Sequence, residues 1–160
     1  MTVKNELETC KGFFFEDYQA GQTFLSPGRT VTEADVVAFA GLTGDWSSIH
    51  TDAVYAAQHP VGQRIAHGML VVSIASGLAV RLGLLEDTLL AFREIGRWKF
   101  SRPVFLGDTL RVRITISETK PVPRLGGGLV SLDAEVVNQS GQVVQQGQWS
   151  VLVKSRPAEV

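Results

Sequence analysis

The run Thr43-Gly44-Asp45-Trp46-Ser47-Ser48-Ile49-His50-Thr51-Asp52-Ala53 sets a carboxylate and an imidazole five positions apart. The two lie between expected helices, so loop folding, not helical periodicity, must bring Asp45 and His50 together. Such a pair suits acid/base chemistry, in which one group activates water and the other returns a proton. Seventeen residues after His50, the run Ile65-Ala66-His67-Gly68-Met69-Leu70 opens a long apolar helix. The start of that helix can aim backbone N–H groups at a developing negative charge. A base, an acid and fixed donors are together what chemistry on an acyl thioester requires.

Each residue alone has a plainer explanation. Asp45 after Gly44 suits a turn or a cap, and His50 suits the first turn of a helix with a satisfied hydrogen bond. His67 suits a residue that fixes the start of the long helix by packing and hydrogen bonding. His50, His59 and His67 follow no standard metal-ligand spacing, so no metal is expected. Gly126-Gly127-Gly128 lacks both a following helix and the Lys-Ser/Thr of a phosphate loop, and is expected to be a flexible hairpin connection.

The elements that must position these groups follow from local patterns. Gln22 to Val31 is strand-like, with a kink at Ser26-Pro27-Gly28 where Pro removes a ladder donor. Thr32 caps a short helix with Glu33 and Asp35 in its first turn, and Gly41 is expected to end it. Asp45 to Thr51 is a loop. Thr51 or Asp52 then caps a second short helix through Tyr55, Ala56 and Ala57, stopped near His59-Pro60. Gly68 to Leu82 is apolar around nearly its whole circumference, which predicts burial on most sides. Beyond Gly83 the period changes. Leu110, Val112, Ile114 and Ile116 alternate with Arg111, Arg113, Thr115 and Ser117, as in a strand with one wet face. Leu89 to Phe100, Leu129 to Val137 and Gln142 to Val153 are further strands, the last two joined at Asn138-Gln139-Ser140-Gly141 by a hairpin turn. The order predicts an α+β fold, an antiparallel sheet curved around a long central helix. A doubly wound nucleotide fold would need strands and helices to alternate throughout.

At 160 residues the chain fits one domain able to bury a core without metal or disulfide support. With 15 basic and 16 acidic residues and a net charge of −1, it offers no overall attraction to nucleic acid or an anionic membrane. Cys10 is the single cysteine, which excludes an internal disulfide and fits a reducing cytoplasm. Met1 to Glu8 has no secretory pattern and is expected to be a loose tail. Met69 to Leu82 is too short to span a bilayer.

The sequence resembles the MaoC-like dehydratases and R-specific enoyl-CoA hydratases, which have a hot-dog fold. The family pattern Gly-Asp-x-Asn-Pro-x-His lines up with Gly44-Asp45-Trp46-Ser47-Ser48-Ile49-His50 and the following Ala53 to Ala57. The likeness includes Thr32-Glu33-Ala34-Asp35, Ala66-His67-Gly68-Met69-Leu70, Ser76-Gly77-Leu78 and Phe100-x-x-Pro103-Val104-x-x-Gly107-Asp108-x-Leu110. Residues 21–155 would form the hot-dog domain, with 1–20 a tail and lead-in and 156–160 a short C-terminal tail. The resemblance implies reversible hydration of a trans-2-enoyl-CoA to an (R)-3-hydroxyacyl-CoA. Asp45 would be base or water-holder, His50 its proton-transfer partner, and the Gly68 N–H the donor to the thioester. Ser76 matches a serine that completes the polar site in some hydratases, and a small residue packed on the helix explains it equally well.

One departure is Ser47-Ser48 in place of Asn-Pro, which loses an amide brace and a stiffening ring, although a serine hydroxyl could replace part of that hydrogen bonding with shorter reach. The resemblance implies no cofactor beyond the coenzyme A of the substrate, and a homodimer or larger even assembly that pairs two sheets edge to edge. Arg64, Arg97, Lys99 and Arg102 are candidates for the coenzyme A phosphates, each with an ordinary surface alternative. Trp46, Phe92, Trp98 and Phe100 are candidates for an acyl tunnel or for plain core. Thioester hydrolysis on the same fold, or acyl-CoA binding without catalysis, are the competing functions.

Overall fold

The computed structural model describes residues 12–157; Cys10 and the Met1 to Glu8 tail lie outside the described residues. Two short strands, β1 (Thr23–Leu25) and β2 (Arg29–Thr30), are separated at Ser26-Pro27-Gly28, where the kink was expected. Helix α1 (Glu33–Thr43) starts at Thr32, whose hydroxyl accepts from Asp35 N–H while the Asp35 carboxylate accepts from Thr32 N–H. That reciprocal pair satisfies two donors at the helix start. The helix does not stop at Gly41; it runs on to Thr43 and is capped by Gly44 in the left-handed region, φ 78°. Gly41 lacks such a turn, and a single glycine inside a helix costs only about 1 kcal/mol.

Helices α2 (Ser48–Thr51) and α3 (Ala53–Gln58) follow, so half of the expected loop is a helical turn. Asp52 caps α3 by accepting from Val54 and Tyr55 N–H at 2.9 Å each. The long helix is α4 (Gly68–Val80). The remaining strands are β3 (Leu89–Phe100), β4 (Thr109–Val122), β5 (Gly127–Val137) and β6 (Val143–Lys154). They are antiparallel in the order β1-β4-β5-β6-β3, with β2 also paired to β4. The expected glycine hairpin is shorter than predicted. Gly127 and Gly128 belong to β5 and pair with Val122 and Pro121, and a 3-10 turn at Pro123–Leu125 makes the crossing.

The sheet wraps α4 because alternate side chains point at it. Leu110, Val112, Ile114 and Ile116 of β4, with Val130, Leu132, Ala134 and Val136 of β5, join Leu70, Val71, Ile74, Ala75 and Leu78 of α4 in one core. Each large side chain so buried contributes about 1.5–3 kcal/mol of transfer free energy. The helix is not covered all round. Met69 and Val80, each 55% exposed, lie with Ser73, Ser76 and Gly77 on an open stripe, a separation of three and four residues that hydropathy alone hides. Residues 12–18, counted with the lead-in, pack onto the far end of α4: Gly12 and Phe13 N–H bond Glu86 and Leu84 carbonyls, and Tyr18 is buried. Among the described residues, no helix is long and apolar enough to cross a membrane.

Candidate active site

The end of α1 delivers Asp45. Gly44 turns the chain, and the Asp45 N–H donates to the Thr43 hydroxyl at 3.3 Å. Oδ1 of Asp45 then accepts from the Ser47 hydroxyl at 2.5 Å and the Ser47 amide at 3.2 Å. The hydroxyl and then the amide of Ser47 hold the Asp45 carboxyl below its ordinary range, and the charges of His67 and His50 act in the same direction. Ser47 thus braces the carboxylate directly at the position where the resembling family carries Asn. Among the described residues no protein group bonds Oδ2.

His50 lies in α2 and is half-buried, with Nδ1 2.8 Å from the carbonyl of Ile65. A carbonyl can only accept, so Nδ1 carries a proton, and whenever the ring is neutral Nε2 presents its lone pair. Ile65 is itself held in place by its N–H bond to Ile49 and its bridge to Phe105.

His67, 2% exposed, precedes α4 and donates from Nε2 to the Asp45 carbonyl at 2.9 Å. Its ring lies between Phe39, at 5.0 Å, and His50, at 3.9 Å and 30°. The residue expected to fix the helix start therefore also ties the Asp45 backbone to it, and its Nδ1 is buried without a partner. One donor atom each from Asp45, His50 and His67 lies within 4.8 Å of the others. Among the described residues these are the side chains that could hold a metal ion; His59 is not with them. Two of the four imidazole nitrogens, His50 Nδ1 and His67 Nε2, are already bonded to carbonyls.

Gly68 is where this cluster meets open space. Two adjoining cavities, of about 420 and 380 Å³, share Gly68 and Phe100 in their walls. The first is also lined by Phe39, Thr43, Asp45, His67 and Met69, the second by His50, Ile65, Ser101, Arg102 and Gln145 among others. A Cβ on residue 68 would fall 2.8 Å from the Phe100 ring. Gly68 is the first residue of α4, so its N–H has no acceptor within the helix.

Asp45, His50 and Gly68 therefore come together, and Ser76 does not join them in a single chain. It lies about 12 Å further along α4, exposed on the open stripe, and lines neither cavity. Of the basic candidates, Arg102 lines the second cavity. Arg64 forms a two-pronged ion pair with Glu33 at 2.8 and 2.5 Å. Arg97 and Lys99 line a separate groove on the opposite face of the sheet, with Asp133 and Glu135. Among the aromatics, Phe100 reaches the cavities, Trp98 backs them from the sheet, and Phe92 packs edge-on to Trp149. Trp46 is 56% exposed. Gln145 was not visible as a site residue in the sequence; only its alternation with Gln146 and Gln148 distinguishes the inner face.

The family described as "MaoC like domain" matches residues 17–138. The chain belongs to this family of MaoC-like dehydratases. It is 31% identical over 143 residues to the (R)-specific enoyl-CoA hydratase of Rhodospirillum rubrum, covering 89% of this chain and 93% of that one. It is 41% identical over 102 residues to Protein MaoC of Klebsiella aerogenes. That match takes in 64% of this chain but spans only 30% of the Klebsiella protein. Its fold is the hot-dog fold: it superposes with a TM-score of 0.80, over 93% of its own length and 46% of the other's, on a Mycobacterium tuberculosis protein described as a double hotdog fold, at 23% identity.

Proposed function

We propose that this protein is a hydro-lyase that reversibly adds water to a trans-2-enoyl-CoA and forms an (R)-3-hydroxyacyl-CoA. The observation that carries the proposal is the convergence of the Asp45 carboxylate and His50 imidazole beside the Gly68 helix start. The hand of the product and the thioester substrate follow from the likeness to the Rhodospirillum hydratase.

In the proposed reaction a water molecule donates its hydrogens to Asp45 Oδ2 and His50 Nε2, both acceptors when Asp45 is ionised and His50 neutral. The water oxygen bonds to C3 of the acyl chain, the C2–C3 π electrons move toward the thioester, and the Gly68 N–H stabilises the enolate oxygen. The proton taken from water is returned to C2, so the balance closes with water alone and calls for no cofactor. An aspartate is ionised at neutral pH even at its ordinary value, and the Ser47 bonds push Asp45 further toward the carboxylate form.

The proposal extends to a homodimer working in the cytoplasm. Strand β3 is the outer strand of the sheet and exposes Leu89, Phe92, Ile95 and Phe100, a long apolar edge of the kind that another strand covers. A second copy seated there would bring new surface to Phe100 and to the outward-facing α4 stripe that carries Ser76. Hydration of crotonyl-, longer enoyl- and branched enoyl-CoA, with chiral analysis, tests the activity. An R product is expected; an S product, or no consumption of any enoyl-CoA, contradicts it.

A further inference from the structure

Gln145 stands out on the inner face of β6. It is 2% exposed between Val144, at 0%, and a run toward Trp149, at 2%. A primary amide in such a place is costly unless its donor and acceptor are both used. Both are. Trp98 Nε1–H donates to Gln145 Oε1 at 3.0 Å, and Gln145 Nε2 donates to the Gly68 carbonyl at 3.1 Å. An indole N–H can only donate and a carbonyl can only accept, so the amide has one orientation.

Both ends of this relay are anchored. The Trp98 ring stacks on Trp149, 5.6 Å between centroids and 2° from parallel. It lies over Gly147, where a Cβ would fall 2.5 Å from the ring. At the other end Gly68 meets the Phe100 ring on its open side. Gly68 needs this outside support. The absence of a side chain lets Phe100 and a ligand approach, and the same absence leaves its backbone the loosest of any residue. A donor N–H that must be aimed to a few tenths of an ångström is poorly served by a loose backbone.

We propose that Gln145 is a positioning residue: by holding the Gly68 carbonyl it fixes the peptide that follows Gly68 and limits rotation about the Gly68 Cα, and so steadies the Gly68 N–H, in the preceding peptide, toward the reacting thioester oxygen. The inference rests on the assignment of Gly68 as the thioester donor. Gln145 acts through Gly68 and not by proton transfer. Because the aim matters most as the oxygen gains charge, loss of the relay lowers kcat far more than it raises KM.

The test compares the wild-type chain with Gln145→Met, Trp98→Phe and the double variant in enoyl-CoA hydration, with thermal melting on each. Gln145→Met keeps the length and apolar volume and removes both bonds. It is expected to lower kcat about tenfold or more, below the loss seen when a donor itself is deleted, with KM within about threefold. Trp98→Phe is expected to lower kcat less, and the double variant no further than Gln145→Met alone, as for residues acting in one chain. The resonance of the Gly68 amide in 15N-glycine-labelled protein, identified by its loss in Gly68→Ala, should shift in Gln145→Met and in Trp98→Phe. Should Gln145→Met fail to fold, Trp98→Phe decides on the same split of kcat from KM and the same resonance. Unchanged kcat with an unmoved Gly68 amide in a folded variant overturns the role of Gln145. A wild-type chain that hydrates no enoyl-CoA, with the Gly68 amide still responding to Gln145, overturns the proposed function and leaves the positioning contact standing.

Discussion

The two ends of α4 differ in almost every physical respect. At the N-terminal end Asp45, His50 and His67 crowd the first turn, and two cavities of about 420 and 380 Å³ open at Gly68. At the other end Tyr18, Leu82, Leu84, Leu85, Ile114 and Leu132 close over the helix and leave about 10 Å³. Tyr18 turns its hydroxyl to the Leu84 carbonyl at 2.8 Å, so even the polar atom there is consumed. One end is packed until nothing fits; the other keeps acceptors and a donor unspent. The contrast separates residues that hold the fold from those proposed to do chemistry, and it can be broken from either side.

The largest effect is expected at the open end. Asp45→Asn and His50→Gln should each lower hydration by at least about two orders of magnitude while acyl-CoA binding survives. Turnover measured beside binding by calorimetry checks this, and unchanged turnover in both would remove the site. At the closed side of the same helix, Leu78, 1% exposed, should behave in the opposite way. Leu78→Ala is expected to cost about 3 kcal/mol of stability in a denaturant melt and to leave kcat of the folded fraction near wild type. A large specific loss of kcat there would erase the distinction between the two ends.

Gly68→Ala is smaller and more local. Its Cβ would meet the Phe100 ring at 2.8 Å, so a loss of about tenfold in kcat is expected with little change in melting. Phe100→Leu added to it should recover part of that loss, as coupled neighbours do. The smallest effect is a shift along the pH axis. Ser47 holds the Asp45 carboxyl low, so Asp45 stays ionised, and the site active, until the pH falls through that depressed value. Removing the hydroxyl in Ser47→Ala raises the carboxyl toward its ordinary range and should move the acid limb of kcat/KM to higher pH. An acid limb that stays in place would detach Ser47 from Asp45.

Much of this was legible in the chain. Period-two alternation at Leu110 to Ile116 marked β4, and the capping pattern at Thr32 and Asp35 marked the start of α1. The family-like order of Asp45, His50 and Gly68 led to the expectation that they meet, and the structure brings them together at the first turn of α4. What the sequence hid lay in the third dimension. Hydropathy predicted burial of α4 on most sides but not which side stays open, because Met69 and Val80 are as apolar on an open stripe as in a core. Gly41 looked like a helix end, although Gly44 has the left-handed turn. Ser76 had matching neighbours in sequence, yet within one chain it lies on the open stripe of α4, away from the two cavities. Ser47 could be expected to replace part of the missing brace at the motif, but only the structure shows its hydroxyl reaching Oδ1 of Asp45. Gln145 had only its strand alternation as a signal, since its partners Trp98 and Gly68 are distant in the chain.

The most direct test of the central claim is to incubate the wild-type protein with one unsaturated and one saturated acyl-CoA while following enoyl absorbance and free thiol together. The proposed hydration, with Asp45 and His50 acting on water that adds to C3, predicts loss of enoyl absorbance without thiol and no reaction of the saturated thioester. Thiol released from both substrates would contradict it, because water would then be attacking the carbonyl carbon instead.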